Sequence, residues 1–309
     1  MRTTINMGEI KALTLVTDDL AGKGPTVGPA DQLPNYMPLE TGPRGWTKVY
    51  DEDFSNGLVL SSDSAAGWEP KFAHGANWLN GDSEKQCYVT PAIKEKGITY
   101  NPFSIETICG RNFCGITPRK ATASEKAITS KDYLSGVLRR RETCTFGMWE
   151  ATVIFPCFNG EFSAAWLMNN PWLPEVDIVE HLTGGTAKHG SNKYFINAHW
   201  GDGTLQANGK PRQYSKNASG GDVSADRPLY LANRFAAIVT PGFIGYYFNE
   251  RLISSLVNPP ATALVEGVRA PMHFVINMAL GGGDWGGSID DSRLAPLYFT
   301  DVKLWKMPT

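Results

Sequence analysis

The chain has 309 residues, with 29 basic and 31 acidic side chains for a net charge of −2, and 42% of it is hydrophobic. This near balance argues against nucleic acid or an anionic membrane as the partner, and the apolar content is enough to bury a large core. Charged residues are only 19%, whereas Gly numbers 32 and Trp 9, a profile that suits a turn-rich β protein with many aromatic surfaces.

Residues 1–44 read as an N-terminal arm or linker, carrying Gly24-Pro25, Gly28-Pro29, Pro34, Pro38 and Gly42-Pro43 with little periodicity. The stretch 9–20 mixes Glu, Lys, Thr and Asp into its apolar residues, so no secretory signal is expected there. No apolar run approaches the about 18 residues of a membrane helix. From Trp46 the texture changes, and residues 45–309 are expected to form one large domain. Short runs of alternating character recur at 149–155, 194–200, 243–248 and 298–305, rich in β-branched and aromatic residues and bounded by turn formers. No long amphipathic helix is predicted; 226–239 is expected to make a helical turn before a strand. Many short strands imply an all-β sandwich of two antiparallel sheets, and a concave sheet would give an open groove for a long polymer. Five cysteines, Cys87, Cys109, Cys114, Cys144 and Cys157, fit no zinc spacing. Cys109 and Cys114 flank a short segment that a disulfide could close, but free, mostly buried thiols are the favoured reading.

The segment Glu175-Val176-Asp177-Ile178-Val179-Glu180-His181 carries the strongest signal. Alternation along a strand puts Glu175 and Asp177 on one face, with Val176 and Ile178 toward the core. Strict alternation would then turn Glu180 away, and a one-residue β-bulge near 178–179 restores it to the acidic face. Three like charges on one face repel, so an ordinary strand gains nothing from them. Glycosidic bond cleavage does need this crowding: one carboxylate must be ionised to attack, and another must keep a proton for the leaving oxygen. Asp177 between them can orient the attacking group. The Glu175 and Glu180 Cα atoms should lie about 13 Å apart along such a strand, so sheet curvature and inward-leaning side chains must bring the carboxyl groups together. A metal reading competes, with Glu175, Asp177, Glu180 and His199 as ligands.

At these residues the chain resembles glycoside hydrolase family 16, whose signature Glu-x-Asp-x-(x)-Glu is met here in the bulged form found in laminarinases, agarases and carrageenases. Lys48–Phe54 resembles the family's opening strand, Asn80–Tyr88 its Asn-x-x-x-Glu-x-Gln-x-Tyr segment, and Phe146–Ala151 the strand with Glu-Ala. Ile276–Gly282 with Trp285-Gly286-Gly287 is similar to the family's Asn-Leu-Ala run and glycine loop, and Thr300–Trp305 to its closing strand. The segments occur in family order over about 46–307. The resemblance implies a β-jelly roll with a substrate cleft on the concave face. It implies Glu175 as nucleophile, Asp177 as its assistant and Glu180 as acid/base. It also implies a structural calcium ion on the convex side, with Asp301 and, less firmly, Asp53 as ligands, and no cofactor for catalysis. Thr152 stands where many relatives carry Arg.

Further substrate contacts are expected from Trp166, Trp172 and Trp285, whose rings can stack on pyranose faces, and from Asn197 and His199, which share a face of the next strand. Asn80, with Trp78 nearby, and Glu150 complete the set. The expected activity is a retaining, endo-acting hydrolysis of a β-1,3 or mixed-linkage glucan or a bacterial exopolysaccharide. The rivals are a galactan hydrolase of the agarase or carrageenase type, a transglycosylase, and a carbohydrate-binding protein without chemistry. The partner is then a polysaccharide, with no nucleic acid and no membrane. The protein is expected to be monomeric and extracellular, secreted or attached to a cell or virion surface.

Overall fold

A computed structural model describes residues 41–60, 67–73, 83–89, 97–170, 172–185, 192–205, 207, 211–217, 223–257 and 270–308. The proposed 1–44 arm therefore lies almost wholly outside the described residues. Two eight-stranded antiparallel sheets form the body. The first runs in the order Arg251–Val257, Phe243–Phe248, Asn233–Thr240, Gly147–Ile154, Leu297–Lys306, Arg111–Ile116 and Phe103–Ile108, with Thr47–Glu52 also paired to Leu297–Lys306. The second runs Pro211–Asn217, Lys193–Leu205, Glu175–Leu182, Glu161–Met168, Met272–Leu280, Val137–Cys144 and Trp68–Glu69, with Val223–Ser224 paired to Lys193–Leu205. A three-stranded sheet of Gln86–Tyr88, Tyr133–Ser135 and Arg119–Lys120 contains one parallel pair, Gln86–Tyr88 with Tyr133–Ser135.

The main core lies between the two large sheets. Trp149, Ala151 and Val153 from the first meet Ala165, Leu167, Val176, Ile178 and Val179 from the second, all buried. Alternate residues of Gly147–Ile154 consequently face away from this core: Met148 packs with Ala236, Ile238, Tyr247 and Trp305 in a separate cluster on the back of the first sheet. On the outer face of the second sheet, Phe72, Tyr88, Val137, Ala164, Trp166, Met168 and Val275 form a third cluster.

The strand Glu175–Leu182, here called the acidic strand, contains the expected bulge. Asp177 pairs with Asn197 and Glu180 with Phe195, three steps on one strand against two on the other. Toward the other neighbour, Ala165 pairs with Val179 and Trp166 with Asp177, leaving Ile178 as the additional residue. The consequence is visible in the packing, because consecutive Ile178 and Val179 both enter the intersheet core. That places Glu175, Asp177 and Glu180 on the outer face. His181 then returns to the interior, fully buried, with its Nδ1 2.6 Å from Glu161 Oε2.

The sequence reading missed one element. Ala123–Thr129 is a short helix with a full capping box: Glu125 N–H donates to Thr122 Oγ1, and Thr122 N–H to the Glu125 carboxylate. Its Thr-x-x-Glu signature stands in the sequence. The stretch 226–239, expected to make a helical turn before a strand, holds instead a tight turn, with Leu231 N–H bonded to the Pro228 carbonyl, and then most of the strand Asn233–Thr240. All five cysteines are free thiols. Cys109 sits exposed at the tip of the Phe103–Ile116 hairpin, while Cys114 lies in the intersheet core, so the small loop is not closed.

Candidate active site

The bulge assembles a compact polar site. Cross-strand pairing aligns Glu175 with His199 on one side and Met168 on the other, and Asp177 with Asn197 and Trp166. His199 Nε2 lies 3.2 Å from Asp177 Oδ2 and 3.7 Å from Glu175 Oε1. The second Glu175 oxygen, Oε2, accepts a 2.6 Å hydrogen bond from the Trp172 indole N–H. Glu180 Oε2 accepts a 2.6 Å bond from Asn197 Nδ2, and Asn197 is fixed in turn by the Tyr246 hydroxyl, which reaches through the core to donate to its carbonyl at 2.7 Å. Each glutamate thus has its own donor, His199 lies between Glu175 and Asp177, and the two glutamates lie on opposite sides of Asp177 along the strand.

Electrostatics follow from this enclosure. Burial pushes the Glu180 carboxyl up to about 8, the Asp177 charge adds to the rise, and the Asn197 bond and His199 oppose it. Glu175 and Asp177 titrate together, and both are raised. For Glu175 the cause is burial and then the Asp177 charge, offset by His199 and the Trp172 bond. For Asp177 it is burial. Asp177 is 4% exposed, and its Oδ2 has no hydrogen-bond partner. Such a site favours proton retention by some of its carboxyls at neutral pH, as acid/base chemistry on a sugar oxygen requires.

Sequence-predicted contacts divide into three groups. Asn197, His199 and Trp172 lie against the carboxylates, and Trp172 remains 40% exposed, available for stacking. Trp166 is beside Asp177 on the same face but is only 5% exposed. Its indole N–H donates to Asn277 Oδ1 at 2.7 Å, and Asn277 donates to the Tyr88 hydroxyl at 2.8 Å. This chain braces the floor beneath the acids; the Asn277 and Tyr88 contributions were not foreseen, although a lone Asn between Ile276 and Met278 was a legible signal. Asn80 and Trp78 lie outside the described residues, as does the side chain of Trp285, whose backbone belongs to a short helix, Gly283–Gly286. That loop demands glycine: Gly281, Gly282 and Gly283 have φ of 80°, 115° and 62°.

Glu150 requires a correction. It lies on the first sheet, on the face away from the core, and is 2% exposed in an ion pair with Lys303 at 2.8 Å. Burial raises its carboxyl to about 7 against the pull of Lys303. Its role here is to pair Lys303, not to contact sugar, because the whole sandwich separates it from the acidic face. The expected calcium ligands lie on that same first sheet or beside it. Asp301 sits at a bulge with φ of 50°, accepts a 3.0 Å bond from Thr152 Oγ1, and pairs with the Arg111 guanidinium. Asp53 is exposed and accepts the Ser55 N–H at 2.9 Å, capping a turn. Among the described residues neither joins a group of three ligating side chains. The expected ion would be held only partly by Asp301, with backbone carbonyls supplying the other oxygens, and the Arg111 guanidinium already pairs with that carboxylate.

No family model and no curated protein sequence matches the chain. Solved structures do. The laminarinase catalytic domain from Thermotoga maritima MSB8 superposes with a TM-score of 0.61 at 17% identity, covering 85% of this chain and 99% of its own. A glycoside hydrolase family 16 endo-glucanase from Bacteroides ovatus gives 0.58 at 16%, covering 83% and 99%. This chain has the family 16 glycoside hydrolase fold. The laminarinase from Rhodothermus marinus, at 0.58 and 18% identity over 85% and 98%, carries the same architecture. The two large antiparallel sheets of the family 16 fold, a jelly roll, are those described above, and the fold extends over most of the chain. Among the described residues no helix is long and apolar enough to cross a membrane.

Proposed function

We propose that the protein is a retaining endo-β-glycanase of glycoside hydrolase family 16, acting on β-1,3 or mixed-linkage glucan or on an exopolysaccharide built on such linkages. The observation that carries this reading is the bulge at Ile178, which puts Glu175, Asp177 and Glu180 on one face and gives the two glutamates different hydrogen-bond donors, Trp172 and Asn197. Solved structures with the same fold include a laminarinase and a family 16 endo-glucanase, and these activities support the substrate class.

In the proposed reaction the Glu175 carboxylate attacks the anomeric carbon. Trp172 and His199 stabilise its negative charge, and Asp177 holds it in orientation. Glu180 donates its proton to the departing glycosidic oxygen, leaving a glycosyl ester on Glu175. Glu180, now ionised, takes a proton from water, whose oxygen displaces Glu175 and restores both groups. Asn197 keeps Glu180 in place through both steps. The exposed Trp172 ring is proposed to stack on a sugar beside the bond that is cut. The reading also places the protein outside the cell as a monomer, with residues 1–44 as an arm to a single 45–309 domain.

The decisive test is Glu175→Gln assayed for reducing-sugar release from laminarin and lichenan. An amide cannot carry the charge or form the ester, so turnover should fall by about a thousandfold or more while polymer binding persists. Activity within about tenfold of the parent would remove Glu175 from the mechanism.

A further inference from the structure

Three donor atoms converge beside the proposed nucleophile. Glu175, Asp177 and His199 each offer one ligating atom, and the three lie within 4.8 Å of one another. Two of the separations are 3.2 Å, from His199 Nε2 to Asp177 Oδ2, and 3.7 Å, from His199 Nε2 to Glu175 Oε1. A four-coordinate Zn2+ ion holds nitrogen and oxygen ligands at about 2.0–2.2 Å, which sets their mutual spacing at about 3.3–3.6 Å. The native positions therefore need only small side-chain shifts to close around the ion. The Asp177 oxygen that faces the histidine is buried and accepts no hydrogen bond. The other Glu175 oxygen is already held by the Trp172 indole, which orients Oε1 toward the site as an outer partner orients a metal ligand. Asn197 holds Glu180 away from the set.

We infer that Glu175, Asp177 and His199 form a binding site for a borderline transition cation such as Zn2+, and that the ion inhibits the enzyme by occupying the nucleophile. The inhibitory half of this inference rests on the hydrolase reading; the binding half does not. One imidazole and two carboxylates suit Zn2+ or Co2+, with water in the fourth position. Ca2+ and Mg2+, which prefer six or more oxygen ligands, should not compete. Bound zinc would neutralise both carboxylates, and the Glu175 oxygen that ligates it could no longer reach an anomeric carbon. The ion is thus no catalyst here, and the lost activity should return on chelation.

The test uses the full chain. Zn2+ is titrated calorimetrically in a non-chelating buffer, Co2+ is bound in parallel for its visible spectrum, and laminarin hydrolysis is followed over the same zinc range. One zinc per chain is expected, with a tetrahedral Co2+ spectrum, inhibition at the binding midpoint, and recovery on adding a chelator. His199→Ala should weaken zinc by at least about tenfold. If that variant melts early, Glu175→Gln, which keeps the side-chain shape and loses the charged ligand, should show the same weakening. An enzyme that takes up no zinc across the titration and hydrolyses laminarin throughout would overturn the site and leave the hydrolase reading intact, as would zinc bound equally well by both variants; zinc bound without loss of activity would overturn its placement on the nucleophile. Zinc binding that is lost in the variants of a protein that hydrolyses no glucan would sustain the site and defeat the hydrolase reading.

Discussion

Replacing Glu180 by Gln should stabilise the protein at alkaline pH and leave it unchanged in acid. The Gln amide oxygen can still accept the Asn197 bond, so shape and hydrogen bonding are kept while the buried charge is removed. Glu180 is raised from 4.5 to about 8 in the folded protein, first by burial and then by the Asp177 charge. The folded state therefore holds a proton that the unfolded chain releases. Stability from this group is complete below about 4.5 and declines as pH rises toward about 8. At about 1.4 kcal/mol for each tenfold change in proton affinity, the ceiling is about 5 kcal/mol. Water reaches a half-buried carboxylate and the local structure relaxes around it, so a gain of about 2 kcal/mol at pH 8.5 is the expected value. For a domain of this size that corresponds to about 4–8 °C in Tm. Thermal melts of parent and variant at about pH 4.5 and 8.5 read it directly. Equal gaps at the two pH values, or a variant less stable than the parent at about 8.5, would refute the claim that the site strains the fold through buried charge.

Trp172→Phe keeps a stacking ring but removes the donor to Glu175. That bond pulls the Glu175 proton affinity down, so its loss should move the acid limb of the kcat/KM profile to higher pH, whereas a purely structural role would leave the limb in place. NMR of the anomeric proton in the first minutes of hydrolysis should show the β-anomer first, with added acceptors diverting product to transglycosylation; an initial α-anomer would show that Glu175 activates water. Arg111→Ala frees the Asp301 carboxylate, so any calcium-dependent rise in Tm should be larger in this variant than in the parent, and equal rises would place the ion elsewhere.

What could be read in advance follows from what a strand encodes. The acidic strand announced itself because like charges alternate with β-branched residues, and the phase break at Ile178-Val179 forced a bulge. Asn197 and His199 were legible for the same reason, two steps apart on one face. Glu150 was misread because alternation tells which residues share a face, not which side of a two-sheet sandwich that face occupies; the partner that decided the matter, Lys303, lies 153 residues away. Trp166 shows a related limit. Its face was right, but its depth depends on Phe72 and Tyr88, brought over it by distant segments. The Ala123–Thr129 helix escaped because it is too short for an amphipathic period, although its capping box was written in four residues.

The bulge also bears on how such a protein can change. The reactive groups occupy one short segment, Glu175–Leu182, and their immediate partners come from the two flanking strands and the loop just before it. Substitution by other apolar residues at Ile178 or Val179 preserves the phase, and deleting either one would remove the bulge and leave plain alternation, with Glu180 still on the acidic face and His181 still inside. The acidic face thus tolerates changes of composition at these two positions and the loss of the bulge itself, whereas inserting a further single residue there would turn Glu180 inward. On the proposed function, loops elsewhere on the rim can lengthen, shorten or exchange aromatic residues without disturbing the acidic face, so the polymer recognised can diverge while the reaction stays the same.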